Sequence, residues 1–104
     1  MNTATTPAVI VDNPAENRFE TVIDGHVAKV DYKIDGTTIT LEHTTVPEAL
    51  QGRGLAGQLM KAAMDFARQR GLSIVPVCEI AVGFMKKRPE THDLLTTEGL
   101  KAIA

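Results

Sequence analysis

Polar and apolar residues alternate along three consecutive segments of the chain. From Arg18 to Ile23, Phe19, Thr21 and Ile23 alternate with Arg18, Glu20 and Val22. From Val27 to Lys33, Ala28, Val30 and Tyr32 alternate with Val27, Lys29, Asp31 and Lys33. From Thr38 to Thr44, Ile39 and Leu41 alternate with Thr38, Thr40 and Glu42. A period of two places successive side chains on opposite faces of a sheet. Asp24-Gly25 and Asp35-Gly36 separate the segments, and both are hairpin signals. The pattern predicts three antiparallel strands in meander order. Val46 is expected to continue the third strand beyond a bend, because Pro47 cannot donate to a ladder.

The period then lengthens. Leu55, Leu59, Ala62, Ala63, Phe66 and Ala67 recur at helical spacing, with Lys61, Asp65, Arg68 and Gln69 away from that stripe. A helix is predicted from Leu55 to Arg70, stopped by Gly71, with Arg68 and Arg70 complementing the dipole. Ser73 to Val77 is short and almost wholly apolar, as in a buried strand parallel to the one before the helix. A second helix is predicted from Cys78 or Glu79 to just before Pro89, thinned by Gly83. A further turn is expected over Glu90 to Leu95. The order is strand, strand, strand, glycine loop, helix, strand, helix. It specifies an α/β fold with a mixed sheet and a right-handed βαβ crossover.

Residues 1–16 are rich in Thr, Ala, Pro and Asn and lack a period. They are expected to form a flexible arm, with Val9 to Val11 as the one candidate edge strand. The domain proper is expected over 17–97, and 98–104 as a tail broken by Gly99.

Composition narrows the function. The 104 residues suit one domain. A net charge of -2 provides no basic field for nucleic acid, and the absence of Trp with a single Tyr leaves no stacking platform for single strands. Cys78 is the only cysteine, so neither an internal disulfide nor a Cys-rich metal site is expected. No secretory leader pattern opens the chain, and no apolar run approaches the roughly 18 residues that span a bilayer. The expected setting is the cytoplasm, without a membrane, nucleic acid or metal partner.

The candidate chemistry centres on Val46-Pro47-Glu48-Ala49-Leu50-Gln51-Gly52-Arg53-Gly54-Leu55-Ala56-Gly57. A glycine loop entering a helix presents unpaired N–H groups at the positive end of the dipole, which suits phosphate. Gly52 to Gly57 spells G-x-G-x-x-G. The dinucleotide motif, however, belongs after the first strand of a parallel sheet, with an acidic residue about 20 positions later. Here it follows an antiparallel meander, and Val77-Cys78 stand where the acid belongs, with Glu79 close by. No Gly-Lys-Ser/Thr follows, so a P-loop is also excluded.

Parsed instead as Gln51-x-x-Gly54-x-Ala56, the loop resembles the pyrophosphate loop of the GNAT superfamily of acetyl-CoA-dependent N-acetyltransferases. More narrowly, the chain resembles a small stand-alone GNAT-like branch. Its signatures have counterparts in His43-Thr44-Thr45-Val46-Pro47, Gln51 to Ala56, Pro76-Val77-Cys78 and Arg88-Pro89-Glu90, in order, between about Phe19 and Leu95. The resemblance implies a reduced GNAT fold: a meander, a βαβ unit and a short C-terminal helix. It implies acetyl-CoA as co-substrate, acetyl transfer to an amine of unknown identity, and a monomer or weak homodimer. The alternative is a non-catalytic acyl-CoA-binding sensor or adaptor.

The cofactor-binding residues expected are Val46, Gln51, Gly52, Arg53, Gly54, Leu55, Ala56 and Arg88. Glycines let the backbone approach the pyrophosphate, and Arg53 adds charge-assisted bonds. Val46 sits where the family's strand splays from its parallel neighbour, freeing backbone groups for the pantetheine arm. Amine acetylation needs a neutral amine, a stabilised oxyanion and a proton for the departing thiolate. The catalytic candidates are His43, Cys78 and Glu42. His43 is a base suited to neutral pH, Glu42 acts through water, and Cys78 is an acid or acyl acceptor. Strand alternation predicts that Glu42 and His43 point to opposite faces, so that only one reaches the groove.

Three departures from the branch matter. Ile80 and Phe84 stand where many members have Tyr, so the phenolic acid is missing or its role passes to Cys78. Arg88 replaces a histidine. The two short turns leave no room for the helices that help build the acceptor site in full-size enzymes, so the groove is expected to be open. His26 and His92 are expected at the surface.

Overall fold

A computed structural model describes residues 8–104. The first seven residues of the expected arm lie outside the described residues. The elements are β1 (Val11–Asn13), β2 (Arg18–Ile23), β3 (His26–Asp35), β4 (Thr38–Thr45), α1 (Leu55–Arg70), β5 (Ser73–Pro76), α2 (Glu79–Lys86) and α3 (Thr97–Ile103). Short 3-10 segments occupy Glu48–Leu50 and Pro89–Leu94. The strands form one sheet in the order β1-β2-β3-β4-β5, antiparallel except for the β4–β5 pair.

The alternating pattern does what it predicts. Phe19, Thr21, Ala28, Val30, Tyr32, Ile39 and Leu41 are buried on one face, while Arg18, Glu20, Lys29 and Asp31 line the other at partial exposure. Helix α1 turns Leu55, Leu59, Met60, Ala63, Met64 and Ala67 onto the buried face. Full burial of one Leu of this kind contributes about 1.5–3 kcal/mol. Phe19, Tyr32 and Phe66 meet at one end, with ring centroids 4.9 Å (Phe19–Tyr32) and 5.1 Å (Phe19–Phe66) apart. Among the described residues no buried side-chain nitrogen or oxygen lacks a partner. Among the described residues no helix is long and apolar enough to cross a membrane.

The structure differs from the sequence reading at both ends. The segment expected as an arm contributes the edge strand β1, two residues later than the candidate at Val9 to Val11, and it pairs Val11–Asn13 with Arg18–Glu20. Two side-chain contacts hold this end down: Tyr32 Oη donates to Asp12 Oδ1 at 2.6 Å, and Ala8 N donates to Gln58 Oε1 at 2.6 Å. The expected tail is instead α3, capped by Thr96 Oγ1, which accepts from Gly99 N at 2.9 Å. Gly99 sits inside that helix because the helix lies flush on β5. A Cβ there would stand 2.8 Å from Ile74 O, 3.0 Å from Leu95 Cδ2 and 3.2 Å from Pro76 Cδ. The chain also lines the free edge of β5, where Thr96 N donates to Ile74 O.

Two outcomes follow from these contacts. Gly99→Ala forces α3 off β5 and lowers stability by about 1–3 kcal/mol, despite the better helix propensity of Ala. Thermal unfolding reads the effect, and an unchanged or raised Tm would refute the close approach. Tyr32 supplies the second. Burial first, and then the hydrogen bond to Asp12, push its hydroxyl up from 10.0 to about 12. Only the neutral phenol suits this site, so its contribution is intact below the ordinary value and lost as pH rises through about 12. Tyr32 is the one tyrosine in a chain without Trp, so ultraviolet titration reports it alone. The expected midpoint is about 12, and Asp12→Asn moves it downward.

Candidate functional site

The site begins with an irregularity in β4. Tyr32 lies opposite Leu41, but Asp31 lies opposite His43, so Glu42 has no partner on β3. One extra residue against a regular strand is a β-bulge, and it flips the facing of everything after it. Thr44 opposes buried Val30 and therefore lies on the helix-covered face. His43 opposes Asp31 on the open face. The parallel partner stops at the same level. β5 pairs only Ser73–Pro76 with Thr38–Leu41, and Val77 N and Cys78 N both donate to Leu41 O, at 3.0 and 3.2 Å. From Glu42 onward β4 has no strand on its β5 side.

This notch is a cavity of about 410 Å³ lined by Glu42, His43, Thr44, Val77, Cys78, Glu79 and Ile80. All three residues expected to carry chemistry line it. The expectation that only one of Glu42 and His43 reaches the groove is corrected. It assumed unbroken alternation, which the bulge interrupts. Cys78 is half-buried at the N-cap of α2. Its Sγ lies 3.2 Å from Thr44 Oγ1 and accepts from Ala81 N at 3.4 Å. The thiol is thus fixed between β4 and the first turn of α2.

A second cavity, of about 260 Å³, adjoins the first through Ile80, which lines both. Its other walls are Val46, Leu50, Gln51, Gly52, Gly54, Leu55 and Ala56. Val46 lies just beyond β4 rather than within it. Gly52 and Gly54 have φ of 83° and 73°, a left-handed conformation that glycine adopts without strain, and a Cβ on either would meet nothing within 4 Å. The space above the loop is therefore open. Gly54 is the N-cap of α1 and provides no side-chain cap, and the first turn holds no acidic residue. Gln58 is the first α1 amide with a helical partner, donating to Gly54 O at 3.2 Å. The preceding amides stand at the positive end of the helix with neither cap nor carboxylate, as an anion site requires.

Three expected cofactor residues have other neighbours. Gln51 Nε2 donates to Val46 O at 3.3 Å and so ties the loop back to the strand end. Arg53 lines a third groove, of about 490 Å³, with Ala8, Ile10, Gln58 and Lys61, which meets the second cavity at Gly54. Arg88 stacks on Phe84, its guanidinium carbon 3.9 Å from the ring centroid, in a groove that also holds Lys61 and Arg68. Arg68 pairs with Asp93 at 2.8 Å and so clamps the Pro89–Leu94 turn to α1. That hydrogen bond holds the Asp93 carboxyl below its usual range. His26 is exposed, as expected. His92 is not a free surface residue: a ring nitrogen lies 2.7 Å from Met85 O. Sequence reasoning missed Thr44 and Glu79. Their neighbours His43 and Cys78 were the available signal. Among the described residues no three of His, Cys, Asp and Glu gather to hold a metal.

An antiparallel meander, a crossover helix with a bare N-terminus, and a parallel strand that ends beside a bulge define the acyltransferase-like class of α/β folds. The chain belongs to the GCN5-related N-acetyltransferase family, whose model matches residues 18–94. It is 42% identical over 52 residues to protein NATD1 of Xenopus tropicalis, covering 50% of this chain and 48% of that one. It is 44% identical over 57 residues to protein NATD1 of Danio rerio, covering 55% and 52%. The aligned stretch spans about half the length of these curated relatives. Among solved structures it is similar to the NMR solution structure of a GCN5-like protein from Staphylococcus aureus, with a TM-score of 0.69 and 27% identity over 88% of this chain and 91% of that one.

Proposed function

We propose that this chain binds acetyl-CoA and transfers its acetyl group to an amine. The observation that carries this reading is the continuity between the uncapped start of α1 and the notch, joined at Ile80. The open space over Gly52 and Gly54 and the bare amides of α1 fit a pyrophosphate. The free flank of β4, from Glu42 to Thr45, fits the amide-bearing pantetheine arm, by the logic of strand addition.

Bound acetyl-CoA supplies an acetyl group activated as a thioester. His43 takes a proton from the incoming ammonium, with Glu42 assisting through water, so that the nitrogen attacks as a neutral amine. The unpaired backbone beside the bulge stabilises charge on the carbonyl oxygen. As the C–N bond forms and the C–S bond breaks, the Cys78 thiol gives its proton to the departing sulfur and regains one from the acylated nitrogen. No phenol is at hand for that step. Tyr32 is the one tyrosine of the chain, and it is buried against Asp12. The same fact favours a second reading, a non-catalytic acyl-CoA-binding sensor.

Calorimetric titration with acetyl-CoA tests the binding half. Ala56→Glu is the decisive variant, because an acidic residue in the first turn complements the dipole and leaves folding intact while filling the anion site. Binding is expected to weaken at least about tenfold with no loss of Tm, as expected from removal of one charge-assisted contact. No binding by the unaltered protein refutes both CoA readings. His43→Ala and Cys78→Ala are each expected to lower kcat about 10²-fold or more. Cys78→Ser preserves the cap on α2 but replaces the thiol, and so separates chemistry from folding. Full activity in His43→Ala and Cys78→Ser would remove these residues from the mechanism.

A further inference from the structure

We propose that Thr44 is the positioning residue of the Cys78 thiol: its hydroxyl donates to Cys78 Sγ and so leaves the S–H to point into the notch. The role rests on the acetyl-transfer reading, in which Cys78 gives its proton to the departing sulfur of CoA.

Two groups meet Cys78 Sγ, one from each wall of the notch. Ala81 N, in the first turn of α2, lies 3.4 Å away and, as a backbone amide, only donates. Thr44 Oγ1, on β4, lies 3.2 Å away, and by geometry either atom of that pair can be the donor. Hydrogen-bond accounting decides the direction. A hydroxyl is a full donor, whereas an S–H is a weak one. Among the described residues Thr44 Oγ1 has no other hydrogen-bond partner, so an S–H directed at it would leave the hydroxyl proton unplaced within the protein. The hydroxyls of Thr91 and Thr96 are committed to backbone instead. Thr91 Oγ1 donates to Arg88 O, and Thr96 Oγ1 accepts from Gly99 N.

The bulge supplies the arrangement. Thr44 opposes buried Val30 and His43 opposes Asp31, so the hydroxyl and the imidazole lie on opposite faces of β4. The thiol is thus oriented from the helix-covered face, while the amine is deprotonated from the open one. In the transfer the Cys78 S–H bond breaks, its proton goes to the CoA sulfur, and the electron pair stays on Sγ. The thiolate keeps both donors, Ala81 N–H and Thr44 O–H, and hydrogen bonds to a charged acceptor are the stronger ones. The acylated nitrogen then returns a proton to Sγ. Thr44 directs the thiol before its proton leaves and stabilises the charge afterwards.

The test uses the whole chain. Cys78 is its only cysteine, so alkylation by iodoacetamide reports on that thiol alone. Thr44→Val keeps the branched shape and removes the hydroxyl, and Thr44→Ser keeps the hydroxyl. Thr44→Val is expected to slow alkylation near neutral pH and to lower kcat, each by about tenfold, with the KM for acetyl-CoA unchanged. Thr44→Ser is expected to stay within about twofold of the unaltered protein in both. In Cys78→Ala protein, Thr44→Val is expected to lower kcat no further. A hydroxyl that merely ties β4 to α2 predicts the opposite sign, because its loss loosens Cys78 and speeds alkylation. Faster or unchanged alkylation in Thr44→Val overturns the proposal. So does failure of Thr44→Ser to restore the rate, or a fall in kcat that persists in Cys78→Ala. Those outcomes leave acetyl transfer standing. No binding of acetyl-CoA, or full activity in Cys78→Ala, refutes the reading on which the role rests.

Discussion

One unpaired residue in β4 sets the geometry on which the site depends. Without Glu42 as a bulge, His43 would face the helices and Thr44 the open side, and the cavity walls would exchange. The bulge coincides with the last pairing of β5, whose Leu41–Pro76 contact closes the parallel ladder. Pro76 has no N–H to extend it, and Val77 and Cys78 both spend their amides on Leu41 O. Cys78 then starts α2 as its cap, with its sulfur against Thr44. A local register slip therefore opens the sheet through its thickness. One wall of the opening belongs to the helix layer and the other to the exposed face.

Much of this architecture was legible in local sequence. Asp24 and Gly25 both take positive φ, and the hairpin follows. Leu59, Met60, Ala63 and Ala67 give α1 its buried stripe. What was not legible depends on tertiary contact. Val9 to Val11 hinted at an edge strand, but β1 sits at Val11–Asn13, where Tyr32 bonds to Asp12 and Gln58 to Ala8, and neither partner marks its own segment. Gly99 breaks a helix in isolation, but here it lets α3 lie against Ile74 O. The candidate site divides in the same way. The glycine loop and Cys78 are signalled by local motif. The bulge that brings Glu42 and His43 to one cavity is a property of β4 against β3, and alternation along β4 alone predicts the opposite. Arg53 shows the limit of motif reading as well. Its position in the loop suggests a phosphate ligand, and the groove that it lines runs from Gly54 toward the β1 side, a direction that the motif does not give.

The lack of a cap on α1 and the presence of one on α2 follow from the same division of labour. Helix α2 satisfies its first turn internally, through Cys78 Sγ on Ala81 N and with Glu79 beside the dipole. Helix α1 starts from Gly54 with neither device. A Ser, Thr, Asn or Asp cap in place of such a start contributes about 0.5–2 kcal/mol. Leaving α1 without it costs stability that the buried Leu59–Ala67 stripe can supply. Gly52 and Gly54 hold a left-handed backbone that an ordinary cap residue would strain, with open space above them. The helix that is bare faces the cavity proposed to receive an anion, and the helix that is capped closes the notch beside it. If both starts served only the fold, nothing would link the missing cap to the open side of the loop. The bare start of α1 and the capped start of α2 give the groove a direction. A ligand with phosphates at one end and a thioester at the other is the kind that such a direction would orient.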